Sequence, residues 1–585
     1  MRASGFFFSC ASIATCVAMA TMSAACSEGR EMLRPFDTGV GTEDTGTTQE
    51  DVTSDLVRME DAMMTGMDAS DDRSTPPPTD TGVLTDRVDP PRDVPSGPVD
   101  VTVIVMGAPM NAPDRFTGAE VPSIAAPEIV YPATGTVIPP NLRGLEYHLR
   151  GPSGVELYEL GFVGTNGRVR VYAPCGTPVG GGCVIPINDE AMGGIARAAG
   201  GGELRVTVRS RTSAGVGRTT SATLGVSSTD IRGGVYYWTV EALTNSIQRF
   251  EWGIGMSRSE AFVTGNAFAC VGCHSLSRNG ARVAVGVGIP GPASTSTYDA
   301  ASRMTLGAAY PANFMTFSPD NVRLLTSNGA SLTLRTPMAG VEIPGLPSDR
   351  NGTHPDWSPD GRFVVYSRPS ATVPIPGTPG HNPPANLNIM AWNPGTTSFG
   401  NPTTILTSMG ENNYYPHFAA DSDWVIFNRS TGGSSSAPDA RLWAMRTSVR
   451  GEPPVEFVTA NGTGNLTNSW PRWAPFRDNY DGGPIYWFTF SSHRDYGLRL
   501  NNSSAMSPTA QLWMAAFRIQ RGEMRMDPST PPFWLPFQSV RASNHIAQWT
   551  EQVQRRSCTM DMDCPMGERC VPLISAGGNR CVGGM

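Results

Sequence analysis

His354-Pro-Asp-Trp-Ser-Pro-Asp-Gly-Arg-Phe-Val-Val-Tyr366 is the stretch from which this chain is read. Its centre, Ser358-Pro-Asp-Gly361, is a turn between two strands. Pro presets one turn dihedral, and Asp and Gly suit the positions that follow. The apolar run Phe363–Tyr366 is the strand that leaves the turn. The pattern recurs. Phe314-Met-Thr-Phe-Ser-Pro-Asp-Asn-Val-Arg-Leu-Leu325 precedes it, and Pro416-His-Phe-Ala-Ala-Asp-Ser-Asp-Trp-Val-Ile-Phe427 is a weaker copy. Trp470-Pro-Arg-Trp-Ala-Pro475 opens another, ending in Ile485-Tyr-Trp-Phe-Thr-Phe490. The runs Leu387–Trp392, Leu442–Arg446 and Leu512–Phe517 supply the next strand of each unit. Turn positions Gly280, Asn321 and Gly361 lie 41 and 40 residues apart, the length of a four-stranded blade.

These repeats resemble those of TolB-type β-propellers, whose core is P-x-W-S-P-D-G followed by an apolar strand. The resemblance covers about 270–550 and implies a propeller. With Val235–Trp238 at the start and Phe533–Trp549 at the end, six blades are expected, seven being the alternative. The terminal strands are expected to complete one blade together, closing the ring.

One copy carries chemistry. Cys270-Val-Gly-Cys273-His274 reads C-x-x-C-H, the pattern of covalent c-type haem attachment. Two thioethers hold the porphyrin, and the adjacent histidine ligates the iron. A redox dithiol, a disulfide and half a zinc site are the other readings; zinc lacks a second Cys/His cluster nearby. In the repeat register Cys273 aligns with His354, His274 with Pro355 and Gly280 with Gly361. The motif is therefore expected to replace the loop entering an innermost strand, with the haem at one mouth of the channel. The same register places His545, His354 and His417 near that mouth as distal ligands, His545 first and Met315 after the histidines. His381 and His493 fall outside the register.

The remaining segments are simpler. Residues 1–25 read as a signal peptide, with Arg2 and then an apolar run to Met22. Ser23-Ala-Ala-Cys26 resembles a bacterial lipobox, which implies lipidation of Cys26, ordinary cleavage being the alternative. Residues 26–100 form an Asp/Thr/Pro linker too poor in apolar periodicity to order itself. Residues 101–230 alternate strand-like runs with turns, about seven strands in about 130 residues, which points to an immunoglobulin-like sandwich. His148, within it, is expected to be an ordinary surface histidine. Cys175 and Cys183 are expected to pair, and Cys558, Cys564, Cys570 and Cys581 in the 556–585 tail to form two disulfides in one of three pairings. Residues 231–555 are the propeller.

The fold class is thus all-β: linker, sandwich, propeller and disulfide-rich tail. A net charge of −8 argues against a nucleic-acid partner. All 44 basic residues are arginine, so lysine chemistry is excluded. Asp478-Asn-Tyr-Asp481-Gly-Gly has the composition of a calcium loop but also that of a turn, which is the better reading. The expected function is electron transfer at the cell envelope by one haem c. The protein is expected in the periplasm or at the cell surface, anchored to the outer membrane by its lipid and served by a redox or envelope partner. A haem oxidoreductase of a small molecule and a propeller scaffold for envelope proteins are the alternatives.

Overall fold

The computed structural model describes residues 98–583 apart from 242–243, 266–269, 289–293, 330, 349–350, 371–383, 434–436, 519–526 and 574–577. The signal peptide, Cys26, nearly all of the linker and His381 lie outside the described residues.

From Gly234 onward, strands gather into consecutive antiparallel units, each led by one inner strand. Blade I joins Gly234–Glu241, Thr244–Glu251 and Glu260–Thr264 to the late strand Ser543–Thr550. Blades II to VI begin at Cys270–Leu276, Phe314–Phe317, Thr353–Trp357, Asn412–Phe418 and Ser469–Tyr480. Each inner strand lies against the next, and Ser469–Tyr480 lies against Ser543–Thr550, so the six form a closed ring. This is the layout of a β-propeller. Its ends are tied by pairing Val235 with Trp549 and Trp238 with His545. Closing the ring this way protects the first and last strands from becoming open edges.

The repeat owes its recurrence to one turn. In blade IV the Ser358 hydroxyl donates to Asp360 at 2.7 Å and accepts the Phe363 N–H at 2.9 Å. Asp360 in turn accepts the Arg362 N–H at 3.0 Å. Ser318 and Asp320 make the same bonds with Arg323 and Val322 in blade III. Ser277 and Asn279 make them with Arg282 and Ala281 in blade II. The last turn residue is left-handed each time, at Gly280, Asn321 and Gly361. Gly and Asn adopt that conformation most readily.

The preceding region forms two sheets. The larger runs in the order Val99–Ile104, Gly167–Pro174, Leu157–Gly164, Glu203–Thr212, Thr220–Val226, Thr136–Ile138, with parallel pairs at both ends. The smaller joins Glu128–Tyr131, Glu146–Arg150 and Cys183–Pro186. A helix, Asp189–Ala199, packs on the larger sheet. Strands alone were expected here. The helix was signalled by Asn188, whose side chain caps the Ala191 N–H at 2.9 Å, and by left-handed Gly200.

His148 is not a surface group. It is fully buried, accepts the Leu498 N–H on Nδ1 at 3.0 Å, and faces Glu146 with Nε2 at 3.2 Å. It therefore ties this region to blade VI. Asp478 makes a second tie, accepting the Thr229 hydroxyl at 2.6 Å and the Trp487 indole N–H at 3.1 Å. Asp481 faces Arg518 instead, at 3.5 Å, so the two carboxylates of the Asp/Gly segment serve different partners. Disulfides join Cys175 to Cys183, Cys558 to Cys570 and Cys564 to Cys581.

Candidate site in the propeller channel

The motif Cys270–His274 is not a loop entering an inner strand; it lies within the inner strand Cys270–Leu276 of blade II. Register places Leu276, Phe317, Trp357, Phe418, Trp473 and Trp549 at one level, each paired with the second strand of its blade or, for Trp549, with Val235. Counting back three positions gives Cys273, Phe314, His354, Tyr415, Trp470 and Ile546. These residues meet. Phe314 packs on His354 with centroids 4.2 Å apart, His354 on Tyr415 at 4.3 Å, and Tyr415 stacks on Trp470 at 3.7 Å. Ile546 and Cys273 pack into the same cluster.

This collar is built with strain. His354, Tyr415, Trp470 and Ile546 have φ of 52°, 51°, 55° and 56°. Left-handed backbone at a non-glycine residue costs ~1–3 kcal/mol. Register shifts mark a bulge beside the first three, between Thr353 and Asp356, Tyr414 and His417, and Ser469 and Arg472. Bulges re-aim side chains. Here they turn His354, Tyr415 and Trp470 into one stack.

Two positions further along each strand lie Ser275, Thr316, Asp356, His417, Arg472 and Gln548, all polar. Five of these line a cleft of about 90 Å³ together with Arg278 and Glu551. Arg278 and Glu551 pair at 3.2 Å. Asp356 accepts the Phe418 N–H on Oδ2 at 2.7 Å, while Oδ1 faces His417 Nε2 at 3.8 Å, beyond hydrogen-bond reach. Burial raises the Asp356 pKa to about 6. His417 accepts the Trp473 N–H on Nδ1 at 3.2 Å, so its ring proton sits on Nε2. Burial, then Arg472 and Arg278, hold His417 neutral. Burial likewise lowers the pKa of Arg472. Its Nη1 donates to the Pro471 carbonyl at 2.9 Å, and its Nε is buried with no hydrogen-bond partner. No ion-pair partner of Arg472 occurs among the described residues.

The histidines expected at one mouth are thus spread along the channel. His417 lines the cleft and His354 belongs to the collar. His545 lies on the other side of the collar, bonded through Nε2 to the Ser543 hydroxyl at 2.9 Å with its ring 5.4 Å from Trp238. Burial, then His493, lowers its pKa to about 3. His274 is 3% exposed, and its Nε2 donates to the Tyr236 carbonyl at 3.1 Å. Burial lowers its pKa to about 4 and raises that of the Cys273 thiol to about 12. The repeat register that aligns Cys273 with His354 also sets His417 opposite Asp356. Arg472 and Gln548 were visible in the same register.

The donors fit haem c in kind. Cys273 is a free thiol, and His274 is a neutral imidazole beside it. Ligation through Nε2 requires His274 to give up Tyr236, and Cys273 packs against the collar.

No protein-family model and no curated protein matches the chain. Solved structures show distant similarity. TolB from Acinetobacter baumannii is 10% identical with a TM-score of 0.35, over 59% of this chain and 79% of that one. A putative TolB from Agrobacterium tumefaciens is 14% identical with a TM-score of 0.31, over 55% and 99%. Kuenenia stuttgartiensis hydrazine synthase is 11% identical with a TM-score of 0.28, over 43% and 63%. Similarity this distant carries no argument about this chain.

Proposed function

We propose that the chain is an exported c-type haem protein that passes electrons at the cell envelope. In this reading a lipid on Cys26 and the linker carry an immunoglobulin-like sandwich and a six-bladed TolB-type propeller. The observation that carries it is Cys273. It stands free inside C-x-x-C-H, while the cysteines at 175, 183, 558, 564, 570 and 581 are all paired.

Cys270 and Cys273 would hold the porphyrin, and His274 the iron. A haem bound there supplies one-electron exchange. The chain's own part is to keep the His274 imidazole unprotonated, which burial does, and to exclude water with the aromatic collar. Burial raises the half-buried Cys273 thiol to about 12, which disfavours the thiolate in the folded ring and favours attachment before ring closure. Holo protein then differs from this conformation at one bond at least, His274 to Tyr236.

The test is expression with a haem c maturation system, a haem-stained denaturing gel, and oxidised and reduced visible spectra. Covalent, low-spin haem lost in Cys273→Ala supports the reading. A high-spin spectrum that shifts with cyanide moves it to a haem oxidoreductase. A chain free of haem under conditions that load a control cytochrome overturns it.

A further inference from the structure

The haem reading makes no use of the cleft beyond the collar. Asp356 and His417, from the adjacent blades IV and V, both line it, with side chains 15% and 22% exposed. Each is fixed from behind by a backbone N–H. Phe418 holds Asp356 through Oδ2, and Trp473 holds His417 through Nδ1. What remains is an acceptor, Asp356 Oδ1, and a donor, His417 Nε2–H, 3.8 Å apart. They stand too far apart to bond each other. One oxygen can reach both at ~2.8 Å, accepting the His417 N–H and donating its own proton to Asp356. A hydroxyl group does this. A carboxylate has no proton to give, and an ammonium has no lone pair to accept one.

The rest of the cleft extends the pattern. Ser275 and Gln548 also line it, and each can both donate and accept. Charge, by contrast, is already matched. Arg278 pairs with Glu551 at 3.2 Å, and Arg472 and Arg278 attract the Asp356 carboxylate through space. A charged ligand gains little in such a place, whereas a neutral one bearing several hydroxyls finds a partner for each. The cleft, about 90 Å³, has room for about half a dozen water-sized groups. Trp549, half-buried in its wall, offers an apolar surface to the C–H bonds of a sugar ring.

We propose that this cleft binds a neutral monosaccharide, one of whose hydroxyls bridges His417 Nε2–H and Asp356 Oδ1.

The experiment is calorimetric titration of the purified full chain with D-glucose, D-galactose and D-mannose, against acetate and methylamine as charged ligands without hydroxyls. Saturable binding of at least one sugar is expected, unchanged between ~50 and ~500 mM salt. Acetate and methylamine should bind about tenfold more weakly or not at all. Asp356→Asn keeps an acceptor for Phe418 but sets a second donor opposite His417. His417→Asn keeps an acceptor for Trp473 and removes Nε2–H. Each is expected to weaken the sugar about tenfold. Because both act on one hydroxyl, the double variant should lose little more than either alone. Unfolding temperatures check that each variant is folded; should His417→Asn fail to fold, Asp356→Asn and the salt series decide. Absence of sugar binding at ~50 mM overturns the proposal and leaves the pair to water. So does acetate or methylamine binding as tightly as the sugar, a steep fall in affinity with salt, or sugar binding unaffected by Asp356→Asn.

Discussion

Glu146 shows how a single residue couples two parts of the molecule. Burial alone would raise its pKa. Bonds from His148, Arg499 and Tyr496 outweigh that and bring it to about 2. Arg499 donates to it at 2.6 and 2.7 Å, and the Tyr496 hydroxyl at 2.9 Å. All but His148 come from the far side of the propeller sequence. A carboxylate whose folded pKa is depressed contributes stability that is present above its unfolded pKa of 4.5 and is lost as pH falls towards 2. Glu146→Gln is therefore expected to lose ~1–3 kcal/mol in denaturant unfolding at pH 7. The gap to the parent protein should narrow steadily from pH 5 downwards; a gap of constant size across that range would contradict the assignment. Asp356 behaves oppositely. Its pKa is raised from 3.8 to about 6, so it binds a proton more readily folded than unfolded. It should make stability fall as pH rises through that window, and Asp356→Asn should flatten this part of the stability–pH curve.

The element that repeats is the Ser-x-Asp/Asn-Gly turn, and its copies differ in what surrounds them. Gly280 and Gly361 are both left-handed, with φ of 68° and 76°. At Gly361 the nearest atom to an added Cβ is Pro319 Cγ at 3.9 Å; at Gly280 it is the Gln552 carbonyl oxygen at 1.8 Å. Gly361→Ala should thus cost only the dihedral strain, ~1–2 kcal/mol. Gly280→Ala must also push back the chain that follows the closing strand, adding ~1–3 kcal/mol. Thermal unfolding of the two variants side by side tests this; equal losses would mean that blade II and the closing segment do not touch as described.

At the scale of the whole molecule, ring closure is locked from outside by the tail. Arg555, just after the closing strand, is 5% exposed and pairs with Glu251 and Glu260 at 2.6 Å each. Glu260 also holds Arg249 and accepts the Gly583 N–H, both at 2.5 Å, while Arg555 donates to the Cys581 carbonyl at 3.1 Å. Blade I, the closing strand and the disulfide-bonded tail therefore share one buried charge network. Removing one member leaves the others buried and unpaired, at a typical cost of ~3–5 kcal/mol. Arg555→Met should lose that much stability and become sensitive to proteolysis between blades I and II. Unchanged unfolding would show that closure rests on strand pairing alone.

What the amino-acid sequence determined by itself is local. The turn bonds of Ser358, Asp360 and Gly361 involve residues within five positions of one another, so their spacing revealed the blades and their register. That register already aligned His354 with Cys273, and short spacing marked Cys175 and Cys183 as partners. The pairing within the tail, the burial of His148, and the collar of Phe314, His354, Tyr415 and Trp470 were decided only by tertiary structure. So was the burial of the Arg472 Nε without a hydrogen-bond partner. These depend on closing the chain between residues as far apart as Trp238 and His545. Local propensity carries no information about which side chains such a closure brings face to face, or about which charges it leaves unmatched.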